Sequence, residues 1–379
     1  MKIKVFLNLI SVKSGGQIVR AQKFIALASL AESNIELHIV KLDGIFDELN
    51  LNKNIFVYNI NLGNRMHFFN RLIWENFYMS KLIESIGANV FLSFSHYLPF
   101  KKLKIPSILG ISNLAPFVTL GSEDESWFFR VKFKILKKSI NYSLAKSDLI
   151  LALSLTAQKK LLELDYDENK ILYCPIGVEP DWHIGVQDSS LLDKYNIKNK
   201  FFLYVSHFYG YKNHKRLINA YTNLPRNIRN EYKLVLVGRA MNKSYYSKVI
   251  DLIVKYRLNN NVIVIDGLER ESLKLFYQKC ELFIFPSLVE NCPNSLLEAM
   301  ASGSPIIASN IEPMTEYCLD AAIYFDPRNE WSIRNAILQY INNDHFKEMR
   351  HLSRERSKSF TWEDFTSLLV QAIIKLHKE

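Results

Sequence analysis

Cysteine is scarce in this chain: Cys174, Cys280, Cys292 and Cys318 are its only four in 379 residues. None forms a C-x-x-C pair and no Cys/His spacing matches a zinc site, which excludes a zinc module and a disulfide scaffold. So few thiols fit a reducing, cytoplasmic compartment. Glycine (13) and proline (11) are also few, excluding collagen-like and low-complexity architectures. No self-similar period runs along the chain, so a solenoid is excluded. No apolar run approaches the roughly 18 residues that a membrane span requires. The opening MKIKVFLNLISV carries the lysines and apolar stretch of a signal peptide, but Asn8 and Ser11 interrupt it. Lys13-Ser14-Gly15-Gly16 then stands where a cleavage site of small residues belongs, so the segment reads as a buried strand and a glycine turn.

What is present is an apolar fraction of 48%, ample for globular cores and incompatible with disorder. At about 100–200 residues per domain, the length implies two or three domains. Net charge is +10, which favours an anionic partner: nucleic acid, an anionic membrane surface or a phosphorylated ligand.

Short apolar runs alternate with helical periods. Strands are expected at Val5–Ile10, Glu36–Val40, Ile55–Ile60, Val90–Ser95, Ser107–Ile111, Leu149–Leu153 and Ile171–Pro175. A second series follows at Phe201–Ser206, Leu234–Gly238, Val262–Ile265, Leu282–Phe285, Ile306–Ser309 and Ile323–Phe325. Helices are expected between them, among them Val19–Ala31, Phe68–Ile86, Trp127–Leu144 and Arg216–Leu224. Such alternation predicts an α/β chain of two tandem doubly wound parallel sheets. The pattern breaks once, at Gly177–Ser190. Residues 1–180 and 181–360 are therefore expected to form two Rossmann-like domains with an inter-domain cleft. Residues 361–379 are expected to form a helix packing back toward the first. Ligands in such sheets bind outside the carboxyl ends of the strands.

The most informative stretch is PSLVENCPNSLLEAMASGSPIIAS, Pro286–Ser309. A strand leads through a loop into a helix starting near Pro293 or Asn294, with Asn294 or Ser295 as cap. The N–H groups of Ser295, Leu296 and Leu297 are then expected to be free, an anion site. Glu290 and Glu298 frame it. A carboxylate suits paired hydroxyls, so the two can read a sugar and a ribose on either side of a diphosphate. The plainer alternative is an ordinary αβ unit with one Glu in its loop and another exposed on its helix.

Four further segments lie at strand ends. In VSHFYGYKNHKRLINAY (Val205–Tyr221) the loop carries His207, Lys212, His214 and Lys215, and Arg216 opens a helix. Cations there neutralise a diphosphate, or form a solvated basic loop. The footprint is too small for nucleic acid. Gly15 and Gly16 let the backbone approach a ligand, though neither a G-x-G-x-x-G nor a Walker pattern is present. His96, in FLSFSHYLPF, follows a buried strand and is either structural or catalytic. Asn113 and Phe117 lie in ISNLAPF at the next strand end. Asp165-Tyr166-Asp167 spells D-x-D, but in an acidic surface turn that needs no metal. Finally, Arg130, Lys134, Lys137 and Lys138 share one helical face beside Trp127. That face is either solvated or suited to an anionic lipid surface.

Two glutamates separated by seven residues, within FIFPSLVENCPNSLLEAMASGSPIIAS and followed by EPMTEYCLDAAIYFDP, resemble the hallmark of family 4 retaining glycosyltransferases. The likeness is dense over Phe201–Pro327 and thinner over 1–180. It implies the GT-B type fold, with a nucleotide-sugar held by the second domain and a saccharide acceptor by the first. It gives Lys212, with Arg216 beside it, to the donor diphosphate and Glu298 to the ribose. Glu290 contacts the transferred sugar, either orienting it or acting as a nucleophile. Gly15 and Gly16 border the donor phosphates, and His96, Asn113 and Phe117 line the acceptor side. No metal and no cofactor are implied. Two departures stand out. Asn291-Cys292-Pro293 follows the first Glu where glycine and an aromatic are usual, a variant of a bacterial polysaccharide subgroup, and His207 stands near where an arginine is usual.

The expected activity is transfer of a hexosyl or N-acetylhexosaminyl group, with a UDP-sugar favoured, to a lipid-linked acceptor in O-antigen or capsule synthesis. The expected location is the cytoplasm, peripheral at the inner membrane face. A nucleotide-sugar epimerase of the same fold, or a non-enzymatic anion- or nucleic-acid-binding protein, are the alternatives.

Overall fold

The computed structural model describes residues 2–12, 15–31, 34–46, 53–63, 67–112, 114–117, 127–185, 190–198, 200–342 and 346–378. The chain begins β1 (Ile3–Asn8), α1 (Gly16–Ala31), β2 (Ile35–Leu42), β3 (Ile55–Ile60), α2 (His67–Ile73), a π-helical turn (Trp74–Tyr78), α3 (Met79–Ile86), β4 (Val90–Ser93) and β5 (Ser107–Gly110). It continues with α4 (Trp127–Lys146), β6 (Leu149–Ala152), α5 (Leu155–Leu162), β7 (Ile171–Tyr173), α6 (Ser190–Lys194), β8 (Lys200–Val205), α7 (His214–Thr222), α8 (Arg226–Glu231) and β9 (Tyr232–Val237). Next come α9 (Lys243–Lys255), β10 (Val262–Ile265), α10 (Arg270–Lys279), β11 (Leu282–Phe285), α11 (Asn294–Ala301), β12 (Ile306–Ser309), α12 (Met314–Cys318) and β13 (Ala322–Phe325). The chain closes with α13 (Glu330–Ile341), α14 (Phe346–Ser357) and α15 (Trp362–Lys378).

The fold divides into two compact units. One comprises Met1–Phe117, Val131–Gly177 and Phe360–Glu379; the other comprises Val178–Ser359 with Val118–Arg130. The first holds a seven-stranded sheet in the order β3-β2-β1-β4-β5-β6-β7, the second a six-stranded sheet in the order β10-β9-β8-β11-β12-β13. Every strand pair described is parallel, with registers such as Val5↔Val90 and Val205↔Val237. Fully buried runs such as VFLS (β4) and LFIF (β11) are what a sheet covered on both faces requires. In each sheet the strand order reverses beside its first strand, between β1 and β4 and between β8 and β11. At such a switch point neighbouring loops diverge and leave a crevice at the carboxyl ends.

The C-terminal helix belongs to the first unit. The Phe365 ring packs 6.2 Å from Phe94, and the Cys174 thiol donates to the Phe365 carbonyl at 3.5 Å. The backbones meet so closely that a Cβ on Gly177 would fall 2.2 Å from the Trp362 nitrogen, so only glycine fits there.

The expected elements form with shifts of one to three residues at most ends. One helix differs in kind. The continuous period expected over Phe68–Ile86 is broken by the π turn, which follows α2 and precedes α3. One extra residue in a turn re-aims the side chains. It carries Glu75 inward, where the residue is wholly buried and accepts from Arg71 Nε at 2.9 Å.

Candidate active site

Three segments build the site of the second unit at the switch point of its sheet. β8 ends at Val205 and hands the chain to the loop carrying His207 and Lys212. β11 ends at Phe285 and is followed by the loop carrying Glu290. α11 then displays Glu298. The two loops are stitched together by backbone and side chain. Leu288 N donates to the Tyr211 carbonyl at 2.8 Å. Tyr204 Oη, on a ring wholly buried in β8, donates to the Lys212 carbonyl at 2.8 Å and lies 3.1 Å from Ser287 Oγ. Asn213 takes the left-handed conformation at φ 65° and is almost wholly buried. Its Nδ2 donates to the carbonyls of Pro286 at 3.0 Å and Pro327 at 2.7 Å.

This stitching brings Lys212 Nζ to 2.6 Å from Glu290 Oε1, although 78 residues separate them. The side chains are only 17% and 10% exposed, so Lys212 is an enclosed cation, not the exposed loop residue the sequence suggests. Burial works to lower its pKa, but the Glu290 carboxylate outweighs that and holds it above 10.5, so it stays charged at neutral pH. His207 is held below its ordinary pKa by burial and by the Lys212 and Arg239 cations. It is therefore neutral at neutral pH.

Glu298 projects from the first turns of α11 and accepts from Tyr277 Oη at 3.0 Å. Burial raises its carboxyl to about 7, against the opposing pull of that hydrogen bond and of Arg270. Tyr277 Oη belongs to a chain of contacts. Trp182 meets the Tyr277 ring edge-on at 5.6 Å, Arg270 lies 5.0 Å over Trp182, and Asp181 accepts from Arg270 at 2.6 Å and from Lys274 at 2.6 Å.

The start of α11 corrects one expectation. Pro293 is the N-cap, without a side-chain cap from Asn294 or Ser295. Asn294 N donates to the Cys292 carbonyl at 3.0 Å, and Leu296 N and Leu297 N donate to Pro293 O at 3.0 and 3.1 Å. The Leu296 and Leu297 amides are thus spent, because the Pro293 carbonyl already accepts the first helical bonds; Ser295 N donates to no carbonyl among the described residues. Arg216 stands inside α7 and donates to Asn213 Oδ1 at 3.1 Å, bracing the loop.

The first unit holds the remaining residues. Gly15 has φ 67° and Gly16 starts α1. His96 follows β4 at the switch point; its Nδ1 is buried and has no hydrogen-bond partner among the described residues, and burial together with Arg71 lowers its pKa to about 4. Nearby in the same unit, buried Asn8 at the end of β1 donates to Glu75 Oε1 at 3.5 Å. Asn113 lies outside the described residues. Phe117 is 6% exposed and belongs to the core cluster, with Lys137 Nζ 5.8 Å over its ring. Phe117 thus packs within the core of the first unit, and Lys137 is more covered than the exposed Lys134 and Lys138 of the same helix. The D-x-D stretch is a turn in which Asp167 caps the segment Glu168–Lys170. No cluster of three or more metal-ligating side chains occurs among the described residues.

Sequence reasoning missed Tyr277, Asn213, Tyr204 and Glu75. Only Asn213 carries a local signal, as an Asn immediately before a helix. The others owe their roles to neighbours distant in the chain.

Residues 191–360 match the family model described as Glycosyl transferases group 1. The chain is 26% identical to the serotype-specific mannosyltransferase WbdA of Escherichia coli over 238 residues, 61% of this chain but only 29% of that protein. It is 27% identical to O-antigen chain mannosyltransferase B of Escherichia coli, over 64% of each chain. It thus spans less than two thirds of these relatives. Among solved structures, Anabaena HepE in complex with UDP-glucose superposes with a TM-score of 0.77, at 15% identity and over 98% of this chain and 100% of that one. At that identity the likeness establishes a shared fold.

Proposed function

Taking residues 191–360 as a segment of the glycosyl transferases group 1 family, we propose that the chain is a retaining glycosyltransferase acting on a nucleotide-sugar. One observation carries this: an enclosed Lys212–Glu290 pair, 2.6 Å apart, at the switch point of the second sheet, with Glu298 on the helix that follows. A cation there stabilises the nucleoside diphosphate as it leaves the anomeric carbon. Glu290 faces the sugar and, while paired to Lys212, orients it. Glu298, once ionised, accepts from the ribose hydroxyls. In the first unit, neutral His96 is the group given to an acceptor hydroxyl, through an Nδ1 that has no partner among the described residues. The leaving phosphate itself assists a same-face displacement, and no metal is required.

The relatives' names direct the reading of the sugar toward a hexose carried to a growing polysaccharide; a UDP-sugar and a GDP-sugar are the two donors to test first. A lipid-linked acceptor agrees with the outward face of α4. There Val131 and Ile135 are 43% and 65% exposed, beside exposed Lys134 and Lys138. Such a mixture of apolar and basic groups suits the surface of an anionic membrane. No helix among the described residues is long and apolar enough to cross one.

The test is a thermal-shift screen with UDP, GDP and dTDP, followed by transfer assays with the matching sugars. A specific ligand at a hundred times its Kd adds about 2.7 kcal/mol of stability. Absence of a shift with every nucleotide, together with salt-sensitive binding to any nucleic acid, would return the chain to its basic-protein alternative.

A further inference from the structure

Lys212 is not a free cation: at 2.6 Å from Glu290 the pair is neutral as a whole. His207, beside it, is neutral as well. A leaving nucleoside diphosphate therefore meets, at the ends of β8 and β11, no net positive charge from these three groups. One more cation stands at the same edge of the sheet. Arg239 follows β9, the neighbour of β8, in the Gly238-Arg239 step.

Its backbone is fastened to the donor loop. Arg239 N donates to His207 Nδ1 at 3.2 Å, and Arg239 O accepts from Phe208 N at 3.0 Å. The approach requires glycine before it, since a Cβ on Gly238 would lie 2.0 Å from the Ser206 carbonyl oxygen. The side chain runs over Gly267, where a Cβ would meet Arg239 Nε at 3.5 Å. Arg239 is exposed, and no carboxylate lies within ion-pairing distance of it among the described residues. Asp266, after β10, acts on His207 in the opposite electrostatic sense without pairing to Arg239. The backbone is thus held rigidly beside the site while the guanidinium stays unspent.

We propose that Arg239 is a second cation for the donor diphosphate, supplied from the end of β9, beside the neutral His207 and the Glu290-paired Lys212 of the loop after β8. The inference rests on the glycosyltransferase reading. The planar fork of a guanidinium matches two phosphate oxygens at once, which an ammonium does not.

The experiment is NMR titration of the full chain with UDP, GDP, uridine and guanosine, for the parent and for Arg239→Gln, Arg239→Lys and Lys212→Ala. Arg239→Gln should weaken whichever diphosphate binds the parent by about 10- to 100-fold. It should leave the matching nucleoside within about threefold and the melting temperature unchanged, because the backbone makes the fastening contacts. Arg239→Lys should recover part of the loss. If Lys212→Ala lowers diphosphate affinity and Arg239→Gln does not, the role of Arg239 is overturned while the donor site stands. An equal loss for diphosphate and nucleoside overturns it too. A parent that binds neither diphosphate overturns both.

Discussion

Glu298 carries a stability cost that a substitution would expose. Burial disfavours the charge and pushes its carboxyl up from 4.5 to about 7. At ~1.36 kcal/mol per pH unit, that difference is about 3 kcal/mol of folding stability. The sign follows from which state holds the proton more tightly. The folded chain does, so the stabilisation is complete below pH 4.5 and is lost as pH rises through about 7. Glu298→Gln keeps the size of the side chain and an acceptor for Tyr277 Oη while removing the ionisation. The variant should match the parent at pH 4.5 and exceed it by about 3 kcal/mol at pH 8. For a folding unit of this size that is a rise of about 6–12 °C in melting temperature. It should also bind nucleoside diphosphate about 10- to 100-fold more weakly, because charge-assisted bonds to the ribose are lost. Differential scanning fluorimetry from pH 4.5 to 8.5, with and without nucleotide, reads both effects. A melting temperature equal to or below that of the parent at pH 8 would refute the argument from burial. Undiminished nucleotide affinity would remove Glu298 from the donor site.

Lys212→Ala should lower kcat by about a hundredfold or more. It should also destabilise the chain by about 3 kcal/mol, since Glu290 would be left buried without its partner. Adding Glu290→Ala should restore much of the melting temperature and none of the activity; full recovery of activity would place the leaving-group cation elsewhere. Transfer activity should survive EDTA, because Lys212 and the Ser295 amide, not a metal, are given the leaving diphosphate. A strict requirement reversed by manganese would contradict that assignment. Lys134→Ala with Lys138→Ala removes two exposed charges from α4, each worth about 1 kcal/mol at an anionic surface. Binding to anionic vesicles should then fall by about 30-fold with nucleotide affinity unchanged, and equal vesicle binding by variant and parent would return α4 to a solvated face.

Two kinds of information built this protein. Local sequence determined the alternation of strands and helices and the two parallel sheets, because periods of two and 3.6 residues and runs such as VFLS and LFIF are properties of short segments. It also determined which loops carry chemistry, since the strand-to-loop passages around Lys212 and Glu290 are legible as strand ends. Only the tertiary structure decided how those groups are spent. The Lys212–Glu290 pair joins residues 78 apart, through hydrogen bonds from Tyr204, Asn213 and Leu288 that no periodicity announces. The π turn that buries Glu75 breaks a helical pattern that reads as continuous in sequence. Phe117 was absorbed into the packing of one unit, with Lys137 over its ring, while Arg239 was brought beside His207 by the pairing of β8 with β9. The physical reason is common to all of these. Hydrophobic periodicity specifies which face of an element is covered. The pKa of a carboxyl, the exposure of a lysine and the freedom of an arginine depend on what covers it, and that is set by residues far away in the chain.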